Sequence, residues 1–149
     1  MIERMSQAVF SYNRDDLSSI YSGATMPMMC QIIETIEGPF TVVDWCRCRK
    51  GLKYNRVSIR TERVNDNILE TFVFASGNPD RNSTLGVFSF VLIYSQPGCG
   101  TITETGVLSS YVLSATGVYA SLNGARVTVA FDNTTPGFPR TITIQQHDC

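Results

Sequence analysis

The fold of this chain is decided by residues 99–144, CGTITETGVLSSYVLSATGVYASLNGARVTVAFDNTTPGFPRTITI, in which short β-branched runs alternate with glycine and asparagine. The runs at 107–113 and 126–131 have a period of two, which places alternate side chains on opposite faces of a strand. The gaps carry residues that tolerate a positive φ in tight turns, as in Asn123-Gly124. This pattern predicts antiparallel strands joined by hairpins.

Further strands are expected upstream of this stretch. Residues 54–64 alternate cleanly, with Val57, Ile59 and Thr61 on one face. Residues 86–95 are so apolar that we expect a central strand buried on both faces. Strands that recur every 8–12 residues or so are typical of a barrel or sandwich. The sequence therefore predicts an all-β fold with little helix, a single antiparallel β-barrel of about eight strands; the alternative is a β-sandwich or jelly roll.

The domain organisation is simple. At 149 residues the chain has the size of one ordinary domain, and no change of composition marks a boundary. We expect one β-barrel domain over residues 1–149, in which residues 1–26 are an extended or short helical arm. Within that arm, residues 13–23 are compatible with a two-turn helix that has Asn13 as its amino cap and Gly23 past its end.

The overall composition argues against several functional classes. The chain is 43% hydrophobic and 17% charged with a formal net charge of −1, which gives no general attraction to nucleic acid or to an anionic membrane. No stretch approaches the ~20 apolar residues of a membrane helix, and residues 1–7 do not resemble a signal peptide. We expect an unsecreted protein, cytoplasmic or within an intracellularly assembled particle such as a virion, with neither membrane nor nucleic acid as partner.

One segment of this nearly neutral chain is strongly basic. Residues 47–63 hold seven of the twelve basic residues against a single acid, Glu62. Such a segment suits docking to an acidic protein surface, because complementary charge orients association; the other interpretation is a solvated strand and loop. We expect other protein subunits as partners, and a homo-oligomer is compatible with this. The predicted partner-binding residues are Arg47, Arg49, Lys50, Lys53, Arg56, Arg60 and Arg63.

The cysteines raise the question of a metal site. There are five of them, so at least one thiol stays free unless it pairs between chains. Cys46-x-Cys48 and His147-x-Cys149 each project two ligands from one strand face, and two facing pairs would make a tetrahedral Cys₃His zinc site. The alternative is packed thiols and a solvated chain end. We expect no cofactor, with zinc at Cys46, Cys48, His147 and Cys149 as the alternative.

Candidate catalytic residues are few, and we assign none. His147 is the single histidine, and no serine or cysteine has the flanking glycines of a nucleophile elbow. Glu34 interrupts an apolar run, so its side chain either enters the barrel interior or, as we favour, marks a wetted outer face. The carboxylates available for paired acid–base chemistry are Glu34, Glu37, Asp44, Glu62, Glu70 and Glu104.

Residues 115–131, ATGVYASLNGARVTVAF, resemble the late hairpin of the dirigent and allene-oxide-cyclase barrels. That hairpin has a glycine-containing turn, an aromatic residue two positions on, and a Gly-Ala pair before an alternating strand. The resemblance covers at most residues 86–144 and implies an eight-stranded antiparallel barrel. It implies no activity, because this barrel hosts unrelated functions. The matching positions are Gly117, Tyr119, Gly124 and Ala125.

Two classes of function follow. We favour a non-enzymatic structural or assembly subunit that acts through its surfaces, by analogy with the minor capsid and cement-type subunits of large virus shells. The poor catalytic inventory and the basic segment on an otherwise acidic chain support it. The alternative is a small hydrophobic-ligand-binding barrel, or a cyclase or isomerase of the allene-oxide-cyclase-like type. Its cavity walls, which otherwise merely fill the core, would include Met26, Met28, Met29, Phe88, Phe90, Tyr111 and Tyr119.

Overall fold

Antiparallel strands that form one strongly curled sheet, a half-barrel, dominate the structure. The computed structural model describes residues 7–22, 33–45, 54–78, 83–97 and 104–145. Two three-residue 3₁₀-helices, Arg14–Asp16 and Ala120–Leu122, accompany the strands in these ranges. The ten strands of the same ranges are β1 (Gln7–Asn13), β2 (Ser18–Ser22), β3 (Ile33–Pro39), β4 (Thr41–Asp44), β5 (Tyr54–Val64), β6 (Asn67–Asn78), β7 (Ser83–Ser95), β8 (Thr105–Gly117), β9 (Arg126–Asp132) and β10 (Pro139–Gln145).

The strand order brings the two edges of the sheet towards each other. The order is β2-β3-β5-β6-β7-β8-β9-β10-β1-β4, with each neighbouring pair antiparallel. Strand β4 is one edge of this order and β3 lies next to the other edge strand, β2, yet only Phe40 separates β3 from β4 along the chain. Because one residue spans only about 3.5 Å, this connection holds the ends of the sheet together and curls it.

The concave face of the half-barrel is packed with aromatic rings. Phe74 and Phe88 are fully buried and stack with their ring centroids 4.8 Å apart. Phe10 reaches them from β1, with its centroid 5.1 Å from that of Phe88. Each such pair adds about 0.5–1.5 kcal/mol beyond the burial of its surface. This cluster therefore ties β1 to the β6–β7 hairpin across the interior.

The structure confirms the all-β, antiparallel prediction, and its strands close only to a half-barrel. Of the two forms that the arm allows, residues 13–22 do not adopt the two-turn helix but a 3₁₀ turn followed by a strand. Asn13 donates a side-chain hydrogen bond to Asp16 Oδ2 at 3.3 Å, which supports a single 3₁₀ turn in place of a longer helix. The next residues pair with β3, because the backbone hydrogen bonds of β2 outweigh a weak helical propensity.

The expectation that residues 86–95 are buried on both faces is also wrong. In β7 the buried residues alternate, with Phe88 and Phe90 at 0% exposure, whereas Ile93 is 66% exposed. The half-barrel has one concave face, and among the described residues no second layer covers the convex side of β7. A continuous apolar run therefore contributes both to the core and to an exposed apolar surface.

Candidate functional site

One end of the half-barrel interior contains a cavity of about 240 Å³. It begins where the aromatic core ends, at Phe72, and it is lined by side chains from β1, β3 and β5 to β10. Three residues outside the strands, Arg14, Gln96 and Asn133, also line it. Buried side chains from four of these strands form a close-packed hydrophobic floor. Its residues are Ile36, Ile59, Phe72 and Val129, while the buried Leu92 and Ile68 line the cavity above this floor.

One wall of the cavity is a row of side chains at a single level of the sheet. Glu34 on β3 lies opposite Thr61 on β5, and Thr61 lies opposite Glu70 on β6, which in turn lies opposite Leu92 on β7. All four residues line the cavity. Two strand spacings separate Glu34 from Glu70, so their Cα atoms are about 10 Å apart. The row therefore presents two carboxylates with a threonine hydroxyl between them.

The opposite wall is formed by β1, β10 and β9. Tyr12 lies opposite Arg140, and Arg140 lies opposite Phe131. The Arg140 guanidinium donates to the Phe138 carbonyl at 3.1 Å and to Asn133 Oδ1 at 2.7 Å, and it lies 5.8 Å from the centroid of the Phe131 ring. These contacts fix the position of the Arg140 charge at the cavity wall.

The turn between β9 and β10 supports that arrangement. The Asp132 carboxylate accepts hydrogen bonds from the backbone N–H of Thr134 at 2.8 Å and from the hydroxyl of Thr135 at 2.6 Å. Hydrogen bonds from Thr134 and Thr135 lower the pKa of Asp132 to about 2. The turn also contains Asn133, which accepts the hydrogen bond from Arg140. A well-defined turn therefore positions one of the charges of the site.

Glu70 is an acid of the cavity whose pKa is changed by its surroundings. Desolvation raises the pKa of its carboxyl, while a hydrogen bond from the Tyr94 hydroxyl and the charges of Arg140 and Arg14 act in the opposite direction. Desolvation, followed by the charge of Glu70, likewise raises the pKa of Tyr12 and of Tyr94. These five side chains therefore form one electrostatically coupled cluster. A carboxyl in such a place is a candidate for recognition or for proton transfer.

The residues predicted for a cavity wall do not line this cavity where the structure describes them. Glu34 lines the cavity, so the outer, wetted position that we favoured for it is not the one observed. Phe88, Phe90 and Tyr119 are buried in the core and do not line this cavity. Tyr111 is 61% exposed, so its assignment as a wall residue is wrong: its side chain lies on the convex face. Met26, Met28 and Met29 lie outside the described residues.

The predicted basic docking residues divide into two groups. Arg56 is 3.5 Å from Glu37, and Arg60 is 2.8 Å from Glu62, so both exposed guanidinium groups have an acidic neighbour within the chain. Arg63 donates to the backbone carbonyl and to the side-chain oxygen of Gln96, each at 3.0 Å. The other predicted residues, which lie outside the described ranges, are Arg47, Arg49, Lys50 and Lys53.

The predicted zinc ligands also lie outside the part of the chain that the structure describes. They are Cys46, Cys48, His147 and Cys149. Among the described residues there is no cluster of three or more His, Cys, Asp or Glu side chains able to hold a metal ion. Nor does any helix within those residues have the length and apolar character to cross a membrane.

Sequence reasoning missed four residues of the site, Tyr12, Arg14, Tyr94 and Arg140. The signal for two of them is the period of two: Arg140 shares a strand face with the buried Ile142 and Ile144, as Tyr94 does with Leu92. A polar residue that continues an inward-facing apolar row is expected to enter the interior. That rule, applied to β7 and β10, finds Tyr94 and Arg140.

The geometry of the cavity is the main basis for assigning a function. Its lining combines an apolar floor with two carboxyl groups, two phenols and two guanidinium groups. Comparison of this chain with protein-family models, with curated proteins and with solved structures found no match.

Proposed function

We propose that this protein binds a small organic molecule in the cavity at the end of the half-barrel. The observation that carries the proposal is the change in the interior from apolar to charged. Ile36, Ile59 and Phe72 form one level of the concave face, and the next level is Glu34, Thr61 and Glu70. An apolar pocket with a few convergent polar groups is the usual form of a small-molecule site.

Stability alone gives no reason for charges at this level. Removing a carboxylate or a guanidinium from water is costly, and apolar side chains of similar size are often as stabilising or more so. Deeper levels of the same interior are built from apolar residues such as Phe74 and Phe88. Glu70 and Arg140 are therefore better explained by recognition of a ligand than by the needs of the core.

The volume limits the size of the ligand. A dry cavity of about 150 Å³ holds one benzene molecule. By the same measure, the 240 Å³ cavity accepts a molecule of about ten non-hydrogen atoms. This size excludes long-chain lipids lying fully inside the cavity and favours a compact metabolite.

Filling the cavity provides the test. Thr61 lies between Glu34 and Glu70, so Thr61→Trp places an indole in the ligand volume. The control is Thr71→Trp, one position along β6 from Glu70 and on the convex face by strand alternation. We expect fragments of about ten non-hydrogen atoms to raise the melting temperature of the wild type and of Thr71→Trp, and Thr61→Trp to lose this effect. Fragments that stabilise all three proteins equally would contradict a site in the cavity.

A second candidate is the non-enzymatic assembly role, which we propose on a different observation. The convex face of β7 and β8 exposes large apolar side chains, with Ile93 and Leu113 both 66% exposed and Val107 65% exposed. Tyr111 lies among them at 61% exposure. Exposed apolar patches of this kind mark protein interfaces. In this proposal the β7–β8 face, more than the internally paired Arg56 and Arg60, contacts a second copy of the chain.

Self-association tests this second proposal. We expect Leu113→Asp to convert an oligomer of the wild type to a monomer in sedimentation velocity, because a buried, unpaired carboxylate is costly at an apolar interface. Ser121→Asp is the control, since Ser121 is also exposed but belongs to the 3₁₀-helix Ala120–Leu122 and not to β7 or β8. A wild type that stays monomeric at high protein concentration would contradict this interface.

A further inference from the structure

The charged groups of the cavity balance one another. Two guanidinium groups, Arg14 and Arg140, and two carboxylates, Glu34 and Glu70, line it. With all four groups ionised their formal charges cancel. A ligand with a net charge would leave an unbalanced charge in a poorly solvated space, which is unfavourable. A ligand without net charge fits this cavity best.

The four charges are not equivalent. Arg140 is held by Phe138 and Asn133 and interacts with Glu70, which also accepts the Tyr94 hydroxyl. By contrast, within the described residues neither Arg14 nor Glu34 has a side-chain hydrogen bond or a salt bridge, although the charge of Arg14 acts on Glu70. One positive and one negative group at the cavity therefore keep their hydrogen-bonding capacity for a ligand.

These two groups have the chemistry to recognise the two charged groups of a zwitterion. A guanidinium donates paired hydrogen bonds to a carboxylate, and the Tyr12 hydroxyl at the same wall can donate a further one. The carboxylate of Glu34 accepts hydrogen bonds from an ammonium group. Each charged group of the ligand would thus replace its lost hydration by a charge-assisted hydrogen bond.

The apolar floor indicates that the uncharged part of the ligand is apolar. Ile36, Ile59 and Phe72 lie directly below the row that contains Glu34. Burial of an aliphatic or aromatic group on this floor contributes through the removal of apolar surface from water. A molecule that carried charges alone would leave these side chains in contact with water.

We infer that the cavity binds a small zwitterion with an apolar body, in the simplest case a free amino acid such as leucine or phenylalanine. Arg14 and Tyr12 bind its carboxylate and Glu34 binds its ammonium group. This inference rests on the proposed ligand-binding function and specifies the chemical class of the ligand. It assigns distinct roles to Arg14 and Glu34, which form no side-chain hydrogen bond or salt bridge among the residues described.

Calorimetric titration with a matched set of probes tests the inference. L-leucine carries both charges, 4-methylpentanoate lacks the ammonium group, and 3-methylbutylamine lacks the carboxylate. We expect the wild type to bind L-leucine about tenfold or more tightly than either analogue, the effect of losing one charge-assisted hydrogen bond. Arg14→Gln should remove the preference over 3-methylbutylamine, and Glu34→Gln should remove the preference over 4-methylpentanoate. Arg14→Lys and Glu34→Asp should each restore part of it.

Matched controls and a second readout distinguish an error in the proposed class of ligand from the absence of a ligand site. Arg126→Gln and Glu104→Gln remove exposed charges outside the cavity and should leave the preference unchanged. Equal binding of L-leucine and its singly charged analogues, with binding still lost in Thr61→Trp, would overturn the zwitterion and leave the ligand site intact. If no probe and no fragment binds the wild type, both the inference and the ligand site fail.

Discussion

Gly117 occupies a position at which a methyl group has no room. Its φ is +59°, and a Cβ there would lie 1.9 Å from the carbonyl oxygen of Leu85. That carbonyl accepts the backbone N–H of Val118 at 3.1 Å, so the close approach belongs to the pairing of β7 with β8. Gly124 has a similar φ of +76°, but no atom lies within 4 Å of the point that a Cβ would occupy there. A side chain at Gly117 would therefore meet both a steric clash and backbone strain, whereas one at Gly124 would meet backbone strain alone.

We predict that Gly124→Ala lowers the free energy of unfolding by about 1–2 kcal/mol, the cost of a left-handed conformation for an L-residue. Gly117→Ala should cost clearly more, because the strand pair must also move apart. Urea denaturation of both variants at neutral pH measures the difference. Equal losses for the two variants would contradict the close approach of Leu85 to Gly117.

Glu70 makes a prediction about pH. Desolvation raises the pKa of its carboxyl above 4.5, the value of an ordinary glutamate, so the folded protein binds this proton more tightly than the unfolded chain does. The Glu70 contribution to stability therefore falls as pH rises from about 4.5 through the raised folded pKa. Each unit of pKa difference is worth about 1.4 kcal/mol.

Glu70→Gln removes this dependence, since the amide stays neutral and its carbonyl still accepts the Tyr94 hydroxyl. We expect the stability of the variant relative to the wild type to increase as pH rises from about 4 towards 8, measured by urea denaturation at each pH. Glu104→Gln, at an exposed site, controls for the loss of one negative charge. A stability difference that is constant with pH would show that burial does not perturb Glu70.

At the scale of elements, local pattern predicts strands well and their surroundings less well. The alternation of Val57, Ile59 and the residues around them is confirmed, and after β5 the chain turns at Asn65, a residue type that tolerates its φ of 57°. These features depend on residues near one another in the chain. Burial of β7 on both faces was wrong because it depends on whether another layer covers the convex side. An apolar run alone does not contain that information.

The candidate site shows the same limit more clearly. Glu34 and Glu70 are recognisable as candidates from their residue type, but the wall that faces them comes from β1 and β10. Those strands pair Gln7 with Gln145, which stand at the two ends of the described chain. Sequence alternation places Tyr12 and Arg140 on inward faces, yet only the long-range pairing places them opposite Glu70. The cavity is therefore a property of the whole molecule.

At the scale of the whole molecule, the concave and convex faces have different proposed roles. The concave face carries an apolar floor and coupled charges, whereas the convex face of β7 and β8 exposes apolar residues such as Leu113. In these proposals ligand binding and assembly use separate surfaces, and one does not exclude the other. Thr61→Trp and Leu113→Asp should accordingly act independently, as distant sites usually do. A double variant whose loss of stability differs from the sum of the single losses would contradict that separation.

The most direct test of the ligand site is an NMR titration of protein with labelled isoleucine and leucine methyl groups. L-leucine and the stabilising fragments serve as ligands. We predict shifts at Ile36, Ile59 and Ile68, which line the cavity, and none at Ile93 or Leu113, which are exposed on the convex face. The same shifts should be absent in Thr61→Trp. Shifts confined to Ile93 and Leu113, or no shifts with any ligand, would contradict a binding site inside the half-barrel.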